Sequence, residues 1–131
     1  MEQKENNIHP TALISNDAKL IGKNINIGPY VIIGPKVQIN SGCNIKSHCV
    51  IQGDTVLGKN NQLYPFCVIG SVPQHAKFSG GKSKLIIGDN NIIREHVTMH
   101  PGTEIGIKLT KVGSNGLFMV GSHVAHDCIV G

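Results

Sequence analysis

Ile21, Ile27, Ile33, Ile39, Ile45, Ile51, Leu57, Leu63 and Ile69 follow one another at intervals of six residues without a slip. A period of six matches neither the 3.6 residues of a helix nor, alone, the alternation of a strand, so the chain repeats a short supersecondary unit. Glycine often follows the aliphatic residue, as in Ile27-Gly28, Ile33-Gly34, Leu57-Gly58 and Ile69-Gly70. The fifth position is small or β-branched: Val31, Val37, Cys43, Cys49, Thr55 and Cys67. Such units read as short strands meeting at sharp corners, where glycine accepts backbone angles that other residues resist. Three such strands make a triangular coil of eighteen residues, so residues eighteen apart stack at the strand spacing of about 4.8 Å. This reading puts Ile33, Ile51, Ile69 and Ile87 in one buried stack.

A second run, Ile87, Ile93 and Met99, keeps the phase of the first, whereas a third, Val112, Phe118, Val124 and Val130, is shifted by one residue. Two excursions therefore interrupt the repeat, near residues 71 to 86 and 100 to 111. Loops thrown out of a strict solenoid are where such folds usually bind something.

A solenoid buries stacked aliphatic layers, which fits a chain with no tryptophan and few aromatics. The segment Met1 to Asn7 is polar and lacks the apolar stretch of a signal peptide, and no run approaches transmembrane length, so a cytoplasmic protein without membrane insertion is expected. Cys43, Cys49, Cys67 and Cys128 all occupy the small fifth position, which marks them as buried hydrophobes instead of metal ligands. Cys49 and Cys67 should be stacked neighbours, kept reduced in the cytoplasm. The net charge of +4 comes with a single arginine, Arg94, so an arginine-rich nucleic-acid stripe is missing. Lys77, Lys82 and Lys84 in the first excursion would steer an acidic partner, such as a nucleotide phosphate or an acidic carrier protein.

Seven histidines carry the functional question. His9 and His48 read as structural, with His48 between Tyr30 and Phe66 in an eighteen-residue ladder. His75, His96, His100, His123 and His126 cluster in and around the two excursions and suggest a site.

The segments Ile8-His9-Pro10-Thr11-Ala12, Pro73-Gln74-His75-Ala76-Lys77-Phe78, Ile93-Arg94-Glu95-His96-Val97-Thr98-Met99-His100, Leu109-Thr110-Lys111-Val112-Gly113 and His123-Val124-Ala125-His126-Asp127-Cys128 resemble the UDP-N-acetylglucosamine O-acyltransferases of lipid A biosynthesis, a hexapeptide-repeat family. The resemblance implies an all-β fold, a left-handed parallel β-helix of hexapeptide repeats with two loop excursions, covering residues 1 to 131 as one domain. It implies transfer of a 3-hydroxyacyl chain from acyl carrier protein to the 3-hydroxyl of UDP-N-acetylglucosamine. It further implies a homotrimer with sites between subunits, and no cofactor or metal beyond the carrier-protein thioester as co-substrate.

A sugar hydroxyl attacking a thioester needs a base near neutral pH, and imidazole is poised there. The resemblance puts that role on His126, with Gln74 and Lys77 at loop positions that hold substrate and His100 and His123 at cleft positions. Asp127, counted with the substrate-binding residues, stands where it could orient the imidazole or hold it in one tautomer, although adjacent strand residues usually face opposite ways. A backbone amide near Gly121 or in the neighbouring coil would serve the oxyanion. His75 stands where the family commonly carries aspartate. Family members are about twice as long, with further coils and a helical carboxyl-terminal region, so little activity is expected of the 131 residues alone. The competing readings are an acetyl-CoA-dependent hexapeptide acetyltransferase, the related N-acyltransferase, a γ-carbonic anhydrase-like metalloenzyme and a non-catalytic scaffold. Against the metalloenzyme, the close pairs are His96-x-x-x-His100 and His123-x-x-His126.

Overall fold

The computed structural model describes residues 6–70, 84–99, 109–119, 121, 123–124 and 129–130. Its strands form three parallel sheets, the three walls of a prism. Numbered along the chain, the first sheet holds β1 (Asn7–Ile8), β4 (Asn26–Ile27), β7 (Asn44–Ile45), β10 (Gln62–Leu63), β13 (Ile92–Ile93) and β16 (Leu117–Phe118). The second holds β2 (Leu13–Ile14), β5 (Ile32–Ile33), β8 (Val50–Ile51), β11 (Val68–Ile69), β14 (Thr98–Met99) and β17 (His123–Val124). The third holds β3 (Lys19–Leu20), β6 (Gln38–Ile39), β9 (Thr55–Leu57), β12 (Lys84–Ile87), β15 (Leu109–Val112) and β18 (Ile129–Val130). The chain thus winds as a parallel β-helix, each strand pairing with the one a coil away.

The six-residue period explains this directly. From Ile27 to Ile69 every aliphatic residue of the series is buried, and so are the fifth-position residues Val31, Val37, Cys43, Cys49, Thr55 and Cys67. Two residues per wall point inward, separated by one that points out, as strand alternation requires. The core is a set of aliphatic columns.

Two expectations need correction. Ile21 does not join the core. It is 44% exposed, and Leu20 stacks on Ile39 in its place. One extra residue in the turn between β3 and β4, where Gly22 has φ +95° and Asn24 φ +62°, shifts the first coil against the rest. Nor does Ile87 stack on Ile69. Met99 occupies that place in the second sheet, while Ile87 pairs with Leu57 and Val112 in the third. The first excursion adds a whole number of hexapeptides, so the six-residue phase survives while the eighteen-residue phase is lost. The excursions are also shorter than their expected bounds, since β12 begins at Lys84 and β15 at Leu109.

The three corners differ in chemistry. The third corner, from third to first sheet, takes positive φ at Asn60, Asn90 and Asn115 and at Gly42, residue types that tolerate it. Asn61 and Asn91 lie buried beside it. The Asn61 amide donates to the Gly88 carbonyl at 2.8 Å, and the Asn91 amide to the Gly113 carbonyl at 2.8 Å. The first corner, from first to second sheet, places Tyr30, His48, Phe66 and His96 at φ between +59° and +67°. For bulky L-residues that conformation costs roughly 1–2 kcal/mol each. Their rings stack in compensation, with centroids 5.1 Å (Tyr30–His48), 4.9 Å (His48–Phe66) and 5.4 Å (Phe66–His96) apart, contacts worth about 0.5–1.5 kcal/mol for an aromatic pair. The expected place of His48 is borne out. His96, expected near the candidate site, is the fourth rung of this ladder.

Beneath the corners lie the thiols, Cys49 and Cys67 under the ladder and Cys43 under the third corner. Cys43, Cys49 and Cys67 are buried and free, as expected, whereas Cys128 lies outside the described residues. Cys43 donates to the Gly58 carbonyl at 3.0 Å, Cys49 to that of Tyr64 at 3.1 Å and Cys67 to that of Arg94 at 2.8 Å. The hydrogen bond with Cys67, together with burial, pushes the Cys49 thiol well above its ordinary range, and burial pushes Cys43 up. They are packing groups that also satisfy corner carbonyls.

Candidate active site

The second corner, from second to third sheet, is where the repeat breaks. The chain leaves β11 at Gly70 and re-enters at β12, leaves β14 at Met99 and re-enters at β15, and leaves β17 at Val124 and re-enters at β18. These strands are neighbours in their sheets, in the orders β11-β14-β17 and β12-β15-β18. Segments 71–83, 100–108 and 125–128, far apart in sequence, therefore connect the same two walls on three successive coils.

Most expected site residues belong to those segments. Gln74 and Lys77 fall in the first, His100 in the second, and His126 and Asp127 in the third; all lie outside the described residues, as does His75. His123 is in β17, in register with Thr98, beside the pair Val124 and Met99. That backbone register continues the series Ile32, Val50, Val68 and Thr98 of the second sheet.

The footing of the first segment is tightly packed. Gly70 has φ +82°, and its amide donates to the Met99 carbonyl at 2.7 Å. A Cβ there would sit 2.0 Å from the Gln52 carbonyl oxygen and 2.3 Å from Thr55 Oγ1. Thr55 Oγ1 in turn donates to Gln52 O at 2.7 Å. Only glycine lets the chain depart here while the coils stay in register.

Along the same corner, toward the first coils, runs a groove of about 250 Å³ lined by Asp17, Lys19, Lys36, Asp54 and Lys84 among others. Lys84, expected in the loop, opens β12 and brings its charge to lysines from two earlier coils. Three ammonium groups against two carboxylates make this edge favourable to an anion. The sequence shows no sign of this convergence, because Lys19 and Lys36 meet Lys84 only through the winding. A larger groove, about 530 Å³, lies on the first sheet and first corner, lined by Asn7, His9, Asn26, Asn44 and Lys46 among others.

Gly121 sits on the first corner, in the coil beyond His96, and its own amide donates to the Glu95 carbonyl at 3.0 Å; its neighbours at 120 and 122 lie outside the described residues.

No family model matches the sequence. A relative from Rickettsia canadensis (strain McKiel), described as an acyl-[acyl-carrier-protein]--UDP-N-acetylglucosamine O-acyltransferase, is 52% identical over 122 residues, 93% of this chain and 46% of the relative. The counterpart of the same description from Rickettsia bellii (strain OSU 85-389) is 50% identical over 122 residues, 93% of this chain and 43% of its own length. The solved structure of LpxA from Acinetobacter baumannii superposes with a TM-score of 0.91 at 48% identity, covering 95% of this chain and 48% of that one. The chain thus spans about half the length of the relatives it matches. Its parallel coils are those of the left-handed β-helix in the solved UDP-N-acetylglucosamine acyltransferases. With half of its aligned residues identical, the corner interruptions included in the matched span, the chain belongs to the UDP-N-acetylglucosamine O-acyltransferase family.

Proposed function

We propose that the protein to which these residues belong transfers a 3-hydroxyacyl chain from acyl carrier protein to the 3-hydroxyl of UDP-N-acetylglucosamine, the opening step of lipid A biosynthesis, as a cytoplasmic homotrimer. The observation that carries this reading is the second corner. Three segments that each carry a histidine join the same two walls on successive coils, in a chain about 50% identical to enzymes described by that reaction.

His126 acts as general base. Its imidazole takes the proton of the sugar 3-hydroxyl as that oxygen attacks the thioester carbonyl. The tetrahedral oxyanion then collapses, the carbon–sulfur bond breaks, and the imidazolium returns the proton to the departing carrier thiolate. Positioned acid–base groups contribute typically 10²–10⁴-fold, which fits one histidine as the chief proton handler. Asp127 holds the imidazole, and Gln74, Lys77, His100 and His123 bind the sugar nucleotide and the acyl group. The lysine-lined edge of Lys19, Lys36 and Lys84 supports an anionic substrate or carrier. No cofactor enters this scheme; the carrier thioester supplies the activated acyl group.

Mass spectrometry of the product formed from UDP-N-acetylglucosamine and 3-hydroxyacyl carrier protein tests the reading, with the parent chain and His126→Ala compared at matched assembly. A 3-O-acyl sugar nucleotide from the parent alone supports both reaction and base. Equal product from both removes His126 from its role, and product from neither removes the activity from these 131 residues.

A further inference from the structure

We infer that Cys49 and Cys67 form a redox-responsive dithiol site inside the first corner, which a small peroxide oxidises to a reversible disulfide between two coils. Nothing in the acyl-transfer reading uses this site.

The winding brings the two sulfurs together. Val50 pairs with Val68, and the Val50 amide donates to the Cys67 carbonyl at 3.0 Å, so Cys49 and Cys67 are register partners on adjacent coils. Both side chains are fully buried, in an inward column that runs Val31, Cys49, Cys67, Val97. Parallel strands hold such partners about 4.8 Å apart at Cα, inside the roughly 4.4–6.8 Å that a disulfide spans. The residues just before them, His48 and Phe66, face one another in the same way, with ring centroids 4.9 Å apart. Cys43 shows how specific the arrangement is. It is equally buried and free, but its register partners are Ile25 and Asn61, so no thiol among the described residues lies beside it.

The two thiols are also chemically unequal. A hydrogen bond from Cys49 holds Cys67 below the ordinary thiol range, while the same contact, with burial, holds Cys49 above it. Cys67 is therefore the nucleophile. Its sulfur attacks one peroxide oxygen, the O–O bond breaks, and the thiol proton leaves with the departing hydroxide as water, giving a sulfenic acid. The Cys49 sulfur then displaces the second oxygen from Cys67: the S–O bond breaks, the S–S bond forms, and a second water carries off the Cys49 proton. Two thiols and one peroxide thus give one disulfide and two waters. A small oxidant has one layer to cross, because the sulfurs lie against the corner carbonyls of Tyr64 (3.1 Å) and Arg94 (2.8 Å), beneath the exposed rings of His48 and Phe66. Side chains stacked at the strand spacing must be drawn together to reach bonding distance, so the disulfide carries strain and is readily reduced. In a reducing compartment such bonds are transient and redox-sensing.

Hydrogen peroxide treatment of the folded 131-residue chain, followed by alkylation in urea and mass spectrometry of tryptic peptides, tests this. Lys59 lies between the two cysteines, so trypsin separates them unless a disulfide joins their peptides. The expected result is a linked Cys49–Cys67 peptide pair, about 2 Da lighter than its two free peptides together and released by dithiothreitol, with Cys43 at least tenfold slower to lose its thiol. Cys67→Ala should leave Cys49 as slow as Cys43, and Cys49→Ala should stop Cys67 at a sulfenic acid that dimedone traps. Circular dichroism checks that each variant keeps its β signal. Loss of Cys49 and Cys67 thiols no faster than that of Cys43 overturns the site. So does a linkage that forms only in urea, or one that joins two chains.

Discussion

The first and second corners of the prism are made by the same hexapeptide and do opposite things. At the first, the repeat runs unbroken from Tyr30 to His96, and each coil adds one ring to a continuous stack. At the second, glycine at positions 53 and 70 turns the chain, and three coils in succession depart from the repeat or pass through a histidine-bearing segment. The difference teaches how a solenoid divides its labour. Strict periodicity yields surfaces that match themselves, while interruption on adjacent coils gathers unlike residues in one place.

The sharpest way to break this comparison is chemical. His126→Ala is expected to lower acyl transfer by two to four orders of magnitude in an assembled enzyme, read as initial rates of 3-O-acyl product. A smaller loss would move the base away from the second corner.

Stability offers the next test, because both corners carry a left-handed glycine in different surroundings. Gly70→Ala drives a Cβ into the Gln52 carbonyl and Thr55 hydroxyl at positive φ, and about 3 kcal/mol or more should be lost. Gly121→Ala meets nothing within 4 Å and should cost only its backbone conformation, about 1–2 kcal/mol. Urea midpoints of the two variants give the contrast directly; equal losses would mean that the second corner is no tighter than the first.

The buried thiol of the third corner offers a further contrast. Burial holds Cys43 above its ordinary value of 9.0 in the folded chain, so above that pH the unfolded chain releases a proton that the folded chain retains. Its contribution is complete below pH 9 and declines as the pH rises, by up to about 1.4 kcal/mol per pH unit. Comparing urea unfolding at pH 8 and pH 10 for the parent and Cys43→Ala should show a shallower decline in the variant. The smallest effect belongs to Arg94, whose guanidinium lies 4.5 Å from the Tyr64 ring centroid. Arg94→Gln should cost less than about 1 kcal/mol, since a cation–π contact at an exposed site is worth little more than half of that.

The inward columns were legible in the sequence because burial alternates with a fixed period, and that period is local. Ile27 through Ile69 needed only spacing to be placed. Ile21 and Ile87 were misplaced for a related reason. A single inserted residue in a turn moves the phase while leaving an aliphatic residue at the expected number, and an insertion of whole hexapeptides moves the wall while leaving the phase intact. His96 shows the same limit. Proximity in sequence to His100 suggested a shared site, but strand β14 lies between them, and the His96 ring joins Phe66 at the first corner.

By itself, then, the sequence determined that this protein is a solenoid of stacked short strands, which residues face its interior, and which segments leave the repeat, because each of these follows from alternation over a few residues. Only the tertiary structure decided that the three departing segments leave from one corner, that Lys84 meets Lys19 and Lys36, and that the ladder takes His96 out of the histidine cluster. Those relations depend on how many residues each coil contains, a sum over the whole chain, and parallel pairing between coils converts that sum into contact.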